Sequence, residues 1–175
     1  MTVPADCTKA ILTAACSCLL FFLTWGGFNP AVVEAVFTRV EEAPTTVLYR
    51  SRESLRDRSG NSWQVVAFRY QKSEESAPLT LRLVGFPGIV ELAHPAPLEI
   101  MAETGETWQV NDWTDRSPAA HTGQNVGQYD LTTVMPQLPI TGSLKLKLAA
   151  STGYSFTLRI PPFIVKEWRR VAEDP

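Results

Sequence analysis

The chain has 175 residues, 16 Lys+Arg against 18 Asp+Glu, and 45% hydrophobic residues. A net charge of −2 excludes the basic footprint of a nucleic-acid binder, and the apolar content excludes a disordered chain. The length predicts one folded domain with an appendage.

Residues 10–25, from Ala10 to Trp25, carry no charge. As a helix this run reaches about 24 Å, short of a ~30 Å hydrocarbon core. Lys9 precedes it, Gly26, Gly27 and Pro30 follow, and Val33-Glu34-Ala35 offers tolerated residues before a cleavage point at Val36. The expectation is a secretory signal peptide over 1–35. An uncleaved anchor is the competing reading, because Asp6 offsets Lys9. Lipidation at Cys16 is disfavoured, since Thr13 stands where an aliphatic residue is wanted and the apolar run continues past Cys18. Cys7, Cys16 and Cys18 all lie in this segment, so the mature chain has no disulfide, thiol nucleophile or thiolate metal site.

Residues 36–44 form a polar lead-in, and 45–175 a single β-rich domain. Thr45–Asp57 is the first expected strand, with a turn at Arg58–Asn61 and a second strand over Ser62–Tyr70, dense in β-branched and aromatic residues. Three- and four-residue loops both fit this hairpin. Leu79, Leu81 and Leu83 alternate with Thr80 and Arg82, a half-buried strand pattern. Short strands are expected at 89–92, 98–102 and 107–110, followed by a polar loop over 111–124. Leu131, Val134, Met135 and Leu138 are spaced for a helical turn or two, cut by Pro136 and Pro139. Leu144–Leu148 and Phe156–Ile160 alternate cleanly around a turn at Ser151-Thr152-Gly153. Pro161-Pro162 opens one short C-terminal helix over 163–172, expected to pack on a sheet edge. These elements predict a mainly β fold, an antiparallel β-sandwich or small barrel.

Motifs for acyl transfer, zinc hydrolysis, phosphate cradling and dinucleotide binding are missing from the sequence. No catalytic, cofactor or metal residue is assigned. His94 and His121 are expected as loop histidines, and Glu91 and Asp130 have no predicted partner. The unusual cluster is Arg50, Arg52, Arg56 and Arg58, which a continuous strand would place on one face. It is either an anion-binding stripe or a solvated face paired to carboxylates such as Glu53 and Asp57. Trp63 and Trp108 fit a core, whereas Trp113 in a polar loop is a candidate contact residue.

Several segments run in a recognisable order: Val47-Leu48-Tyr49-Arg50-Ser51, Leu55-Arg56-Asp57, Gly60-Asn61-Ser62-Trp63-Gln64-Val65-Val66 and Leu81-Arg82-Leu83-Val84-Gly85-Phe86-Pro87-Gly88. Glu91-Leu92-Ala93-His94-Pro95, Asn125-Val126-Gly127-Gln128-Tyr129-Asp130-Leu131, Pro136-Gln137-Leu138-Pro139 and Pro161-Pro162-Phe163 with Glu167-Trp168 follow. Over nearly the whole mature chain this resembles the cyanobacterial family filed as domain of unknown function 3122. The resemblance implies an exported protein of the periplasm or thylakoid lumen, with no established activity and no catalytic residue to carry over.

The leading expectation is a non-enzymatic accessory or interaction protein, its partner a membrane protein complex at the lumenal or periplasmic face. The mature chain has no membrane span, and Arg50, Arg52, Arg56, Arg58 and Trp113 form the expected partner surface. The alternatives are a carrier holding a small apolar ligand inside a barrel, and a hydrolase with an unrecognised site.

Overall fold

The computed structural model describes residues 36–43, 46–72, 75–116 and 123–173. The expected signal segment, its three cysteines and His121 lie outside the described residues. The strands are β1 (Val36–Ala43), β2 (Thr46–Arg56), β3 (Ser62–Lys72), β4 (Glu75–Ser76), β5 (Thr80–Gly85), β6 (Leu98–Ala102), β7 (Thr107–Val110), β8 (Val126–Asp130), β9 (Leu144–Ala149) and β10 (Ser155–Ile160). Among the described residues one α-helix, α1 (Pro162–Glu173), follows the strands.

Two antiparallel sheets face each other and do not close into a barrel. The larger runs β1-β2-β3-β5-β8, with β4 added to β3, and the smaller runs β10-β9-β6-β7. Period-two alternation makes this a sandwich. Leu144, Leu146 and Leu148 are buried while Lys145 and Lys147 face solvent. Trp63, Val65 and Ala67 on β3, with Leu81 and Leu83 on β5, turn the opposite way from Gln64 and Arg82. The two inner faces meet through these residues and Leu98, Ile100, Leu158 and Ile160.

The hairpin loop is now resolved. Asp57 N donates to Asn61 O at 3.0 Å, and Gly60 N donates to Asp57 O at 3.1 Å. Arg58, Ser59 and Gly60 are therefore a three-residue tip, with Gly60 at φ 85° where a side chain would be strained.

Two expectations are corrected. Val36–Ala43 is not a lead-in but an edge strand, paired to β2 from Val36↔Arg52 to Ala43↔Thr46. Its mixed polarity carries no alternation signal, and the eleven-residue β2 supplies the template. Residues 89–92 form no strand, only a bridge between Leu92 and Ala150. Val126–Asp130 is strand β8, paired to β5, although its glycine and glutamine disguise it. The helical turn expected from the apolar spacing after it is present as a turn and a short 3-10 helix, Met135–Gln137, with Leu131, Val134, Met135 and Leu138 buried.

The helix starts behind Pro161, whose carbonyl accepts from Ile164 N at 3.1 Å. Ile164, Val165, Trp168 and Val171 form its buried stripe. This stripe packs against β2 and β3, which are interior strands, and not on a sheet edge. No helix among the described residues is long and apolar enough to cross a membrane.

Candidate functional site

Strand β2 is unbroken from Thr46 to Arg56, so Arg50, Arg52 and Arg56 share the face turned away from the core. Arg58 leaves this row, because the strand ends at Arg56 and Arg58 sits in the turn. Glu53, on the other phase, is 3% exposed and faces inward. Asp57 is committed to its own turn, accepting from Ser59 N, Asn61 N, Asn61 Nδ2 and the Trp63 indole. The Asp57 carboxylate is thus engaged within its own turn and not on the β2 row.

The register adds a residue that the sequence did not single out. Arg52 lies opposite Val66, and Val66 opposite Arg82 of β5. The next row is Arg50, Phe68 and Thr80. Arg50, Arg52 and Arg82 therefore wall a groove of about 460 Å3 whose floor is Leu48, Val66, Phe68 and Val84. Gln64, Tyr70 and Glu42 complete the lining. Phe68 meets Tyr70 edge-on at 5.8 Å. Burial and the nearby Glu42 charge raise the Tyr70 phenol above its ordinary value, while Arg50 and Arg82 pull it down. Among the described residues none of these three arginines forms an ion pair. The Nε of Arg82 is buried without a hydrogen-bond partner there. Such a surface suits an anionic group carrying an apolar body.

Trp113 is not part of it. Its N–H donates to Gln128 O at 2.8 Å beside β8, so β3, β5 and β8 separate it from the β2 arginines. The side chain is half-buried, lining a second cleft of about 410 Å3 with Arg116 and Asp130.

A histidine–carboxylate pair also escaped the sequence reading. His94 Nδ1 and Asp112 Oδ2 are 2.6 Å apart. Asp112 also accepts from Ala96 N at 3.3 Å, Thr114 N at 2.9 Å and the Thr114 hydroxyl. Burial raises its pKa, but these hydrogen bonds outweigh it and hold the carboxyl below the usual aspartate range. Burial, then the Asp112 charge, pushes the Tyr129 phenol well up. Asp112 lines a cleft of about 450 Å3 together with Pro95, Pro97, Asn111 and Arg116. The eighteen-residue separation of His94 and Asp112 gave no signal of this contact.

This arrangement ties two loops together. The Thr114 hydroxyl is bound to the carboxylate and not to the imidazole, so it is not placed as a nucleophile for His94. Glu91 and Asp130, without a predicted partner in the sequence, accept from Ser151 Oγ and Thr132 N. Among the described residues no three His, Cys, Asp or Glu side chains gather as metal ligands.

Comparison with curated proteins and with solved structures found no match. The family comparison did, over residues 35–171, which include every strand, the groove and nearly all of the helix. The chain belongs to the family described as Protein of unknown function (DUF3122).

Proposed function

We propose that this chain is an exported, non-enzymatic accessory or interaction protein of the cyanobacterial thylakoid lumen or periplasm. In this reading it binds its partner through the outer face of the larger sheet. The observation that carries the reading is the groove in which Arg50, Arg52 and Arg82 stand over Val66, Phe68 and Val84. An ordinary solvated sheet face presents polar residues throughout. Here guanidinium groups that form no ion pair among the described residues flank an apolar floor, which fits an acidic segment bearing an apolar side chain. Export is supported by the uncharged run over 10–25 and the small residues before Val36.

The partner is then an acidic, partly apolar segment of a membrane complex at its lumenal or periplasmic face. The carrier alternative would need an interior cavity where the two sheets meet, and side chains occupy those positions. A hydrolase gains little from His94, which is bonded to a loop-anchoring aspartate.

The test is co-purification of tagged protein from native solubilised membranes, compared with the double variant Arg52→Glu/Arg82→Glu. A membrane protein captured by wild type and lost from the variant is the expected result. Recovery of wild type only as a free monomer under several solubilisation conditions would sink the reading.

A further inference from the structure

Independently of the groove, one end of the sandwich brings three turns together: Asp57–Asn61, Phe86–Ile89 and Ser151–Tyr154. Trp63, just after the first, pairs with Gly85, just before the second. The Trp63 ring meets Phe156, just after the third, at 5.3 Å. Ser151 N also donates to Glu91 O at 3.0 Å, tying the second and third connections.

The tips are apolar and outside the core. Phe86 is 56% exposed, Ile89 59% and Tyr154 81%. They are held there by their own turns. Ile89 N and Val90 N donate to Phe86 O at 3.2 and 3.0 Å, and Ala150 N donates to Tyr154 O at 2.9 Å. Arg58 projects from the first turn, and Arg56 lies across a groove of about 390 Å3 from Phe86.

Acidic and basic side chains both stand at the opposite end, where Glu103 pairs with Arg159 at 3.1 Å and Lys72 lies opposite Thr46. Glu41 and Asp130 lie at the opposite end of the larger sheet, where Glu41 pairs with Val47 and Asp130 with Thr80. Glu103 and Glu106 lie at the opposite end of the smaller sheet, just past Ala102, which pairs with Leu144. Beside the apolar tips, Glu91 is held by Ser151 Oγ at 3.3 Å and Asp57 is enclosed in its turn.

We propose that this end docks on an anionic lipid bilayer surface. Phe86 and Ile89 enter the boundary between headgroups and acyl chains, and Tyr154 lies in the interface with its hydroxyl toward water. Arg56 and Arg58 meet lipid phosphates. Interfacial binding grows with buried apolar area and with basic residues near an anionic surface, and both features are present at this end. The acidic residues at the other end point away from the bilayer in this orientation and do not oppose it.

Residues 10–25 of the full chain are themselves uncharged, so total vesicle binding cannot isolate this surface, and the readout has to be local. Backbone hydrogen exchange of the full chain is measured with vesicles of phosphatidylglycerol and phosphatidylcholine, and with phosphatidylcholine alone. The expected result is a several-fold slowing of exchange in 57–61, 86–89 and 151–154 with the anionic vesicles. Exchange in the Glu103–Glu106 turn should be unchanged. The triple variant Phe86→Ser/Ile89→Ser/Tyr154→Ser should abolish the slowing. Arg58→Glu, which leaves the apolar tips intact, should reduce it several-fold. Exchange unchanged by vesicles, slowing that survives the triple variant, or protection given only by a membrane protein and not by lipid would each overturn the proposal.

Discussion

The indole N–H of Trp63 donates to the Asp57 carboxylate at 3.1 Å, binding the first buried residue of β3 to the turn that precedes it. Asp57 accepts from Ser59 N, Asn61 N and Asn61 Nδ2 as well, so one side chain shapes the turn and orients a core tryptophan. Asp57→Ala leaves the buried indole donor and two backbone donors unsatisfied. It is expected to cost about 2–3 kcal/mol of stability, measured by urea denaturation.

The same carboxylate gives an acid limb to stability. Burial would raise its pKa, but hydrogen bonds from Asn61, Trp63 and Ser59 lower it below the ordinary value of 3.8. A folded-state pKa below the unfolded one contributes stability in full above the unfolded value and loses it as pH falls through the folded value. Unfolding midpoints should therefore fall below about pH 4. Asp57→Asn should flatten that limb, and an unchanged acid limb in Asp57→Asn would contradict this account.

Asp112 gathers a histidine, a threonine and the backbone of Ala96. Asp112→Ala is expected to destabilise by about 2–3 kcal/mol, because buried donors lose their acceptor. His94→Ala, removing a partly exposed ring, should cost only about 0.5–1.5 kcal/mol. Equal losses in denaturation experiments would mean that the imidazole, and not the loop backbone, is the main element held.

Gly85 packs directly under Val90. A Cβ at Gly85 would stand 2.5 Å from the Val90 side chain, although the Gly85 backbone itself is unstrained. Gly85→Ala should cost about 1–3 kcal/mol through overpacking. Adding Val90→Ala should recover part of the loss, and double-mutant denaturation would show that coupling.

Arg52 lies exposed on the outer face and forms no ion pair among the described residues. Arg52→Glu should change stability by no more than about 0.5 kcal/mol. A larger loss would mean that the arginine has a structural role, contrary to its placement in a contact surface. Thermal melts of the two proteins decide this without knowledge of the partner.

Sequence by itself determined the strands with strong alternation. Leu144–Ala149 and Ser155–Ile160 were legible because every second residue must enter the core and the residues between must reach water. The helix was legible from Pro161-Pro162 and the apolar positions after it, and β2 was continuous enough to predict that Arg50, Arg52 and Arg56 share a face. Only the tertiary structure decided what depends on lateral pairing. An edge strand such as β1 and a small-residue strand such as β8 are strands because a neighbour offers a ladder, which local composition does not record. Placing Arg82 beside Arg52, separating Trp113 from both and bringing His94 to Asp112 required the register across β3, β5 and β8. Contacts between distant residues are set by backbone hydrogen bonds that any side chain can make, so no motif announces them.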